Sequence, residues 1–331
     1  MRLPTSRGPL SAAVMDVLRK PWPHERSFPS VSSTDVLHDE DAQIALWTCY
    51  ELSYRGFDGV DLEWESDPGL VGFRRELERH LLARLRHLAA DRTVESTDVP
   101  SALTELIAAD DGPPLAGFLQ REATATQFRE FVAHRSVYHL KEADPHSWAI
   151  PRLAGRAKAA LIEIQADEYG GGRVERMHSE LFRATMRELG LDDTYGHYVD
   201  AVPAVTLAIS NAMSFFGLHR RWTGALIGHL AAFEMTSSLP NRRYGNGLRR
   251  LGFGETATHF YDEHVEADAV HEQIAAHDLC GSYAKDNPEA AEDILFGAAC
   301  ALALDAELGR HLLDRWERNL STLGRVAVTA A

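Results

Sequence analysis

The chain has 331 residues, 45% of them hydrophobic, and 34 Lys and Arg against 49 Asp and Glu give it a formal net charge of −15. That apolar fraction supports a sizeable core and excludes wholesale disorder, and the length allows two units of ordinary domain size or one large domain with an extension. The acidic balance excludes a sequence-independent grip on nucleic acid or on an anionic membrane, since both need a cationic surface.

Residues 1–35 are rich in Pro, Ser and charge and read as an irregular lead-in. They lack the apolar run and small-residue cleavage site of a signal peptide. From Asp41 the spacing turns helical, with Leu46, Cys49, Tyr50 and Tyr54 at three- and four-residue steps. Phe73, Leu77, Leu81, Leu82 and Leu85 repeat it over residues 70–88. The run Asp110-Asp111-Gly112-Pro113-Pro114 is the strongest breaker in the first half. It sets a boundary between a helical region, residues 1–114, and a domain of residues 115–331. Beyond it, helices are predicted over residues 127–141, ended by Asp144-Pro145, and 152–168, stopped by Gly170-Gly171-Gly172. Others follow over residues 173–189, 198–218 (apolar on several faces and so buried), 222–237 (ended at Pro240), 256–276 and 288–318. No run of β-branched residues alternates for long, so the expected fold is all-α, a helical bundle after residue 115. The most apolar stretches, 201–216 and 296–304, fall short of the ~18–20 apolar residues that span a membrane, so a soluble cytoplasmic protein is expected. Cys49, Cys280 and Cys300 make neither an even disulfide framework nor a Cys-only metal cage, and they read as core residues, as do Phe215 and Phe216.

In an all-α protein a metal site is built from side chains on facing helices, and one version pairs Glu and His three residues apart. With 16 His and 49 acids in 331 residues, chance supplies about two acid-x-x-His spacings. Three occur (Asp35–His38, Glu175–His178, Asp268–His271), so the spacing alone decides nothing. The triplet His264-x-x-x-Asp268-x-x-His271 is richer. At ~100° per residue its members share one narrow stripe of a helix, with donors suited to iron, manganese or zinc. The same stripe is also compatible with a solvated polar face, because Glu263, Glu266 and Glu272 flank it. Glu234 follows the apolar run Leu230-Ala231-Ala232-Phe233. It is either a helix-end charge near Pro240 or a buried carboxylate that needs a cation. Glu168 stands ten residues before His178 and just ahead of the triple glycine. His271-Glu272 is not followed by the spacing of a zincin, and the glycines follow a helix rather than a strand, so neither that protease nor a phosphate-binding loop is present.

Five segments carry a resemblance. They are Glu-Ala-Asp-Pro-His-Ser-Trp (142–148), Glu-Ile-Gln-Ala-Asp-Glu-Tyr-Gly-Gly-Gly (163–172), Met-His-Ser-Glu-Leu-Phe (177–182), Phe-Phe-Gly-Leu-His-Arg (215–220) and Glu-His-Val-Glu-Ala-Asp-Ala-Val-His (263–271). Over about residues 120–318 the chain resembles the heme-oxygenase-like di-iron oxidases and oxygenases, often called iron-containing redox enzymes. Within them it is closest to the N-oxygenase branch that includes the central domain of an N-nitrosating enzyme. The resemblance implies a heme-oxygenase-like helical bundle. It also implies metal ligands at Glu142, Glu168, His178, Glu234, His264, Asp268 and His271, whose separations of 26, 10, 56, 30, 4 and 3 residues suit that branch. A ferritin-type pattern would choose Glu175 in place of Glu168. Residues 1–110 resemble the helical region that contributes to a dimer in that branch, so a homodimer is expected, and the cupin domain of the N-nitrosating enzyme is missing.

The resemblance further implies two iron ions cycling between Fe2+ and Fe3+, O2 as co-substrate, and an external electron donor or reductase. The expected reaction is oxygenation of the nitrogen of a small amine, amino acid or guanidine. Two alternatives stand beside it: C–H abstraction with decarboxylation or C–C cleavage of a fatty or amino acid, and a metal-free helical binding protein. Heme degradation fits less well, because it wants one proximal His rather than a cluster of ligands.

Overall fold

Short polar side chains start the helices of the first half. Asp39 accepts from the Asp41 and Ala42 amides, Asp67 from those of Gly69 and Leu70, and Asp98 from that of Ser101. Thr124 and Gln127 close a reciprocal cap. A computed structural model describes residues 1–92, 94, 96 and 98–324, apart from the side chains of residues 267–269. Those residues form helices and connecting loops with no strand among them, the all-α class expected.

The order is α1 (Pro9–Leu18), α2 (Glu40–Glu51), α3 (Pro68–Ala89), α4 (Val99–Ala108), α5 (Leu115–Arg121), α6 (Ala125–His139), α7 (Asp144–Ser147), α8 (Gly155–Glu168), α9 (His178–Glu188), α10 (Ala204–Leu218), α11 (Thr223–Arg250), α12 (Glu255–Gln273), α13 (Ser282–Asp286) and α14 (Ala291–Glu317). The long α11 is the spine, packed along α14, α12 and α5, while α10 lies buried against α2, α6 and α14. The crossing of α11 and α14 is close enough to require glycine. A Cβ at Gly228 would stand 1.9 Å from the Ile294 carbonyl oxygen, and one at Gly297 would stand 1.9 Å from that of Ala225. The 110–114 break does separate α4 from α5, but α14 also packs on α3 and α4, and one apolar core runs from Leu10 to Leu323. No helix among the described residues is long and apolar enough to cross a membrane.

Four expectations need correction. The lead-in contains α1, which buries Leu10, Val14, Met15, Val17 and Leu18. Its amide ends are satisfied by Asp41, 30 residues away, which accepts from Leu10 (2.7 Å) and Ser11 (2.8 Å), and local reading cannot see such a cap. The helix of residues 222–237 does not end before Pro240 but runs through it to Arg250. Ala231 and Ala232 before the proline, and Asn241, Tyr244 and Leu248 after it, are all buried. That packing offsets the ~3 kcal/mol a helical proline costs. The helix of residues 173–189 is interrupted: Gly170–Gly172 and Val174–Arg176 form single tight turns, and α9 starts at His178. Finally, α12 passes into a π-helical segment, Ile274–Gly281, that packs on α8 and α11.

Candidate metal centre

Each side chain at the centre is placed by a different element. Glu168 ends α8 and His178 begins α9. The turn between them depends on Gly170. Its φ is +63°, and a Cβ there would stand 2.6 Å from the Met177 nitrogen, so the position excludes a side chain. Glu234 projects from the middle of α11, His264 and His271 from α12, and Glu142 from the link between α6 and α7. Three of these residues form a tight group: one ligand atom each from Glu168, His178 and His264 lie within 4.8 Å of one another, and all three residues are buried. The Glu168 Oε1 to His178 Nδ1 distance is 3.0 Å. Beside them Glu234 Oε2 stands 3.3 Å from His271 Nδ1. Glu142 completes the rim, its carboxylate accepting from the Tyr138 hydroxyl and paired with His139 Nδ1 at 2.9 Å.

The histidines are held ready for a cation. The His264 Nδ1–H donates to the Phe260 carbonyl at 2.7 Å, and the His271 Nε2–H donates to Asp167 Oδ2 at 2.9 Å. Each bond fixes the ring: neutral His264 turns the lone pair of its Nε2 toward the centre, and His271 turns its Nδ1 toward Glu234. His264 Nε2, His271 Nδ1 and His178 Nδ1 are buried and have no hydrogen-bond partner. Three orphaned imidazole nitrogens lie beside the buried Glu168 and Glu234 and the largely buried Glu142. This all-nitrogen-and-oxygen donor set, without thiolate, fits a transition-metal ion such as iron.

The electrostatics agree. Burial and the neighbouring Glu142 and Glu234 raise the Glu168 pKa, although His178 opposes this. Burial works against a proton on His178, but Glu168, Glu142 and Glu234 outweigh it and lift the pKa to about 9. Burial opposes a proton on His271 too, and Glu234 and Asp167 bring that pKa to about 9 as well. His264 is driven down to about 3 by burial and by His178. Burial pushes Glu142 up, but His139, His264 and the Tyr138 hydroxyl overcome it and hold the carboxyl below the usual carboxylate range. Protons on two imidazoles therefore balance carboxylates that would otherwise be buried without a counter-charge.

Six of the seven residues expected to act as ligands thus converge, while the Asp268 side chain lies outside the described residues. Glu175, the alternative to Glu168, is exposed on the Val174–Arg176 turn. The sequence reading misses the supporting residues: Tyr138 and His139, which precede Glu142 by four and three positions, and Asp167, next to Glu168. Helical spacing from the expected ligands is the available signal for the first two. Cys49, Cys280 and Cys300 are buried and free, and Phe215 and Phe216 are buried, as expected for core residues. A cavity of about 440 Å³ opens onto Glu142, Glu168, Glu234 and His264, with Arg135, Asn241, Arg243, Tyr244 and Asp305 in its walls.

Comparison with known proteins gives likenesses of three kinds, to a family, to a characterised protein and to solved structures. The family described as iron-containing redox enzyme matches residues 129–306. A nitrosourea synthase from Streptomyces achromogenes subsp. streptozoticus is 28% identical over 166 residues, 49% of this chain and 34% of that protein. The chain therefore spans about a third of the length of that relative. A CADD-like protein of unknown function from Nostoc punctiforme PCC 73102 superposes with a TM-score of 0.48 at 17% identity. That superposition covers 72% of this chain and 97% of the other.

Proposed function

The chain belongs to the iron-containing redox enzyme family, and as an oxidoreductase of that family we propose that it is an O2-dependent di-iron oxygenase acting on the nitrogen of a small amine, amino acid or guanidine. Glu142, Glu168, His178, Glu234, His264, Asp268 and His271 would hold the two irons, which when bound supply the electrons that reduce O2 for oxygen transfer. An external reductase would restore the ferrous state. The likeness to a nitrosourea synthase, whose name describes a product with oxygen bonded to nitrogen, supports nitrogen as the site of reaction.

The chain's own residues have separate tasks in this reading. The Phe260 carbonyl and Asp167 orient His264 and His271, so that the rings need not turn to bind metal, although His271 must give up a proton. Tyr138 and His139 hold Glu142 at the mouth of the cavity. Phe182 and Phe260 pack edge-on at 4.9 Å beside His139 and His264, and so keep water from that flank.

The observation that carries the choice of substrate is the cavity. A fatty-acid oxidase needs a long apolar tunnel, whereas here Arg135, Asn241, Arg243, Tyr244 and Asp305 share the walls of a chamber of about 440 Å³ with apolar residues such as Leu115, Phe233 and Leu302. Anaerobic ferrous loading followed by O2, with a panel of amines, amino acids and fatty acids, tests the reading. The expected product carries the added oxygen on nitrogen, as an N-hydroxyl group or, after further oxidation, a nitro group. Loss of CO2 or a cleaved C–C bond would replace it with C–H chemistry. Iron content of zero after loading would leave a metal-free binding protein. The His264→Ala and Glu234→Ala variants should lose iron and activity together. A homodimer built through residues 1–114 belongs to the same proposal, and the mass in solution decides it.

A further inference from the structure

We propose that Arg243 is a specificity-determining residue of the cavity, its guanidinium binding a carboxylate at the end of the substrate remote from the metal centre. This rests on the N-oxygenation reading for the identity of the reacting nitrogen.

Helix α11 carries both ends of the chamber. From Glu234 at the centre to Arg243 is nine residues, about 13 Å along the axis and two and a half turns, so the two leave opposite sides of α11 and meet the cavity at its two edges. Arg135 shares the Arg243 end, two helical turns before Glu142 on the neighbouring α6. The charges there are not equivalent. Arg135 is committed to Asp305 of α14, and Asp110 to Arg92 at 2.6 Å. Arg243 has no carboxylate within 4 Å among the described residues, although it is half-buried in the cavity wall. The side chain of Asn241, buried on the same wall, makes no hydrogen bond to a described residue.

Arg243 and the Asn241 amide therefore share a wall on which the nearest cavity carboxylates, Asp305 and Asp110, are paired with Arg135 and Arg92, and the Tyr244 hydroxyl lies beside Arg135. A guanidinium presents two parallel donors matched to a carboxylate, and burial strengthens that pairing. At the opposite end the charges of Glu142, Glu168 and Glu234 are taken up by the metal when it is bound, so the cation at Arg243, not repulsion at the centre, orients a substrate. A molecule with a carboxylate at one end and an amine at the other has one favourable orientation in it, with nitrogen toward the metal.

Calorimetric binding to the ferrous-loaded protein under strict anaerobiosis tests this without turnover. The probes are three pairs that differ only in the carboxylate: L-lysine and cadaverine, L-arginine and agmatine, and 6-aminohexanoate and 1-aminopentane. At least one carboxylate member should bind tenfold or more tightly than its partner. Arg243→Ala should erase that preference and Arg243→Lys should keep part of it, with iron content and helical circular dichroism unchanged in both variants. No preference in any pair, or a preference that survives Arg243→Ala, overturns the proposal. Products lacking an N–O bond alongside an intact preference would sink the reaction class and leave the carboxylate subsite standing.

Discussion

Lys141→Met should cost about 4–6 kcal/mol of stability, because it strands a buried anion next to the metal centre. Lys141 Nζ lies 3.1 Å from Glu51 Oε2, and the two side chains are 2% and 0% exposed. At that distance, with the effective dielectric of about 20 that suits protein sites, the attraction is about 5 kcal/mol. Breaking buried pairs by removing one partner costs about 3–5 kcal/mol, for the same reason. The ammonium also sits 4.1 Å from the centre of the Tyr54 ring, which adds about 1 kcal/mol. Glu51 would keep only the Tyr195 hydroxyl at 2.8 Å and the Arg55 amide at 3.3 Å. The functional interest is the neighbour: Arg55 holds the Leu140 carbonyl at 3.2 Å, so residues 140 and 141 are both tied to α2 and its following turn just before Glu142. Urea unfolding followed by circular dichroism measures the stability, and iron titration should show about tenfold weaker loading. In the Glu51→Gln/Lys141→Met double variant the costs should fall short of additive by at least 2 kcal/mol. A Lys141→Met cost under 1 kcal/mol, or strict additivity, would refute the reasoning.

Three further outcomes follow from the same geometry. Because His178 and His271 sit near pKa 9 without metal and must be neutral to ligate, ferrous or manganous loading at pH 7 should release about two protons per protein. Release of none, read with an indicator dye in weak buffer, would remove both from the ligand set. His134 is buried between Thr206 at 2.7 Å and Thr322 at 3.0 Å, and burial first, then His311 and Arg135, push its pKa to about 3. Folded His134 thus stays neutral while the unfolded chain takes a proton below pH 6.5. Its contribution is intact above pH 6.5 and fades as pH falls toward 3, by about 2 kcal/mol between pH 6.5 and 5. His134→Gln should flatten the stability–pH curve by that amount over this window, and parallel curves for the two proteins would show otherwise. Gly228→Ala drives a methyl into the Ile294 carbonyl and should cost about 2–3 kcal/mol through separation of α11 from α14. A melting temperature equal to wild type would mean the crossing is looser than described.

The helices that the sequence shows best are those whose information is local. Phe73, Leu77, Leu81 and Leu85 repeat on one face, and Asp67 caps the same helix, so α3 is legible from its own residues. The helix α1 is hidden because its partner for the first amides is Asp41, and α11 reads too short because the packing that offsets Pro240 comes from α14, α12 and α5. The metal centre divides the same way. His264 and His271 share a stripe visible in one helix, but their tautomers depend on Phe260 and on Asp167 of another helix. Glu142 is reached through family resemblance, since nothing in its own neighbourhood distinguishes it until Tyr138 and His139 are seen to hold it. Arg243 is invisible in the sequence, where it lies beyond the expected helix end at Pro240, and only the cavity shows that it lines a wall with no carboxylate of the described residues paired to it.

The positions of these groups make folding and loading one equilibrium. Glu142, Glu168 and Glu234 are carboxylates held at or below the surface by the surrounding helices, and without metal their charge is answered by protons on His178 and His271, while His264 Nε2 has no partner. A cation that replaces those protons satisfies the nitrogens and the carboxylates together, and whatever binds the folded chain alone stabilises it in proportion to ligand excess, by about 2.7 kcal/mol at a hundred times Kd. Because Glu142 is anchored through Lys141 and Leu140 to α2, that gain is not confined to the bundle: it is transmitted to the first hundred residues, which share the same apolar core. Metal loading should therefore protect amides of α2 against hydrogen exchange as well as those of α8 and α12. Protection limited to α8, α9, α11 and α12 would mean that the N-terminal region only covers the bundle and takes no part in shaping its centre.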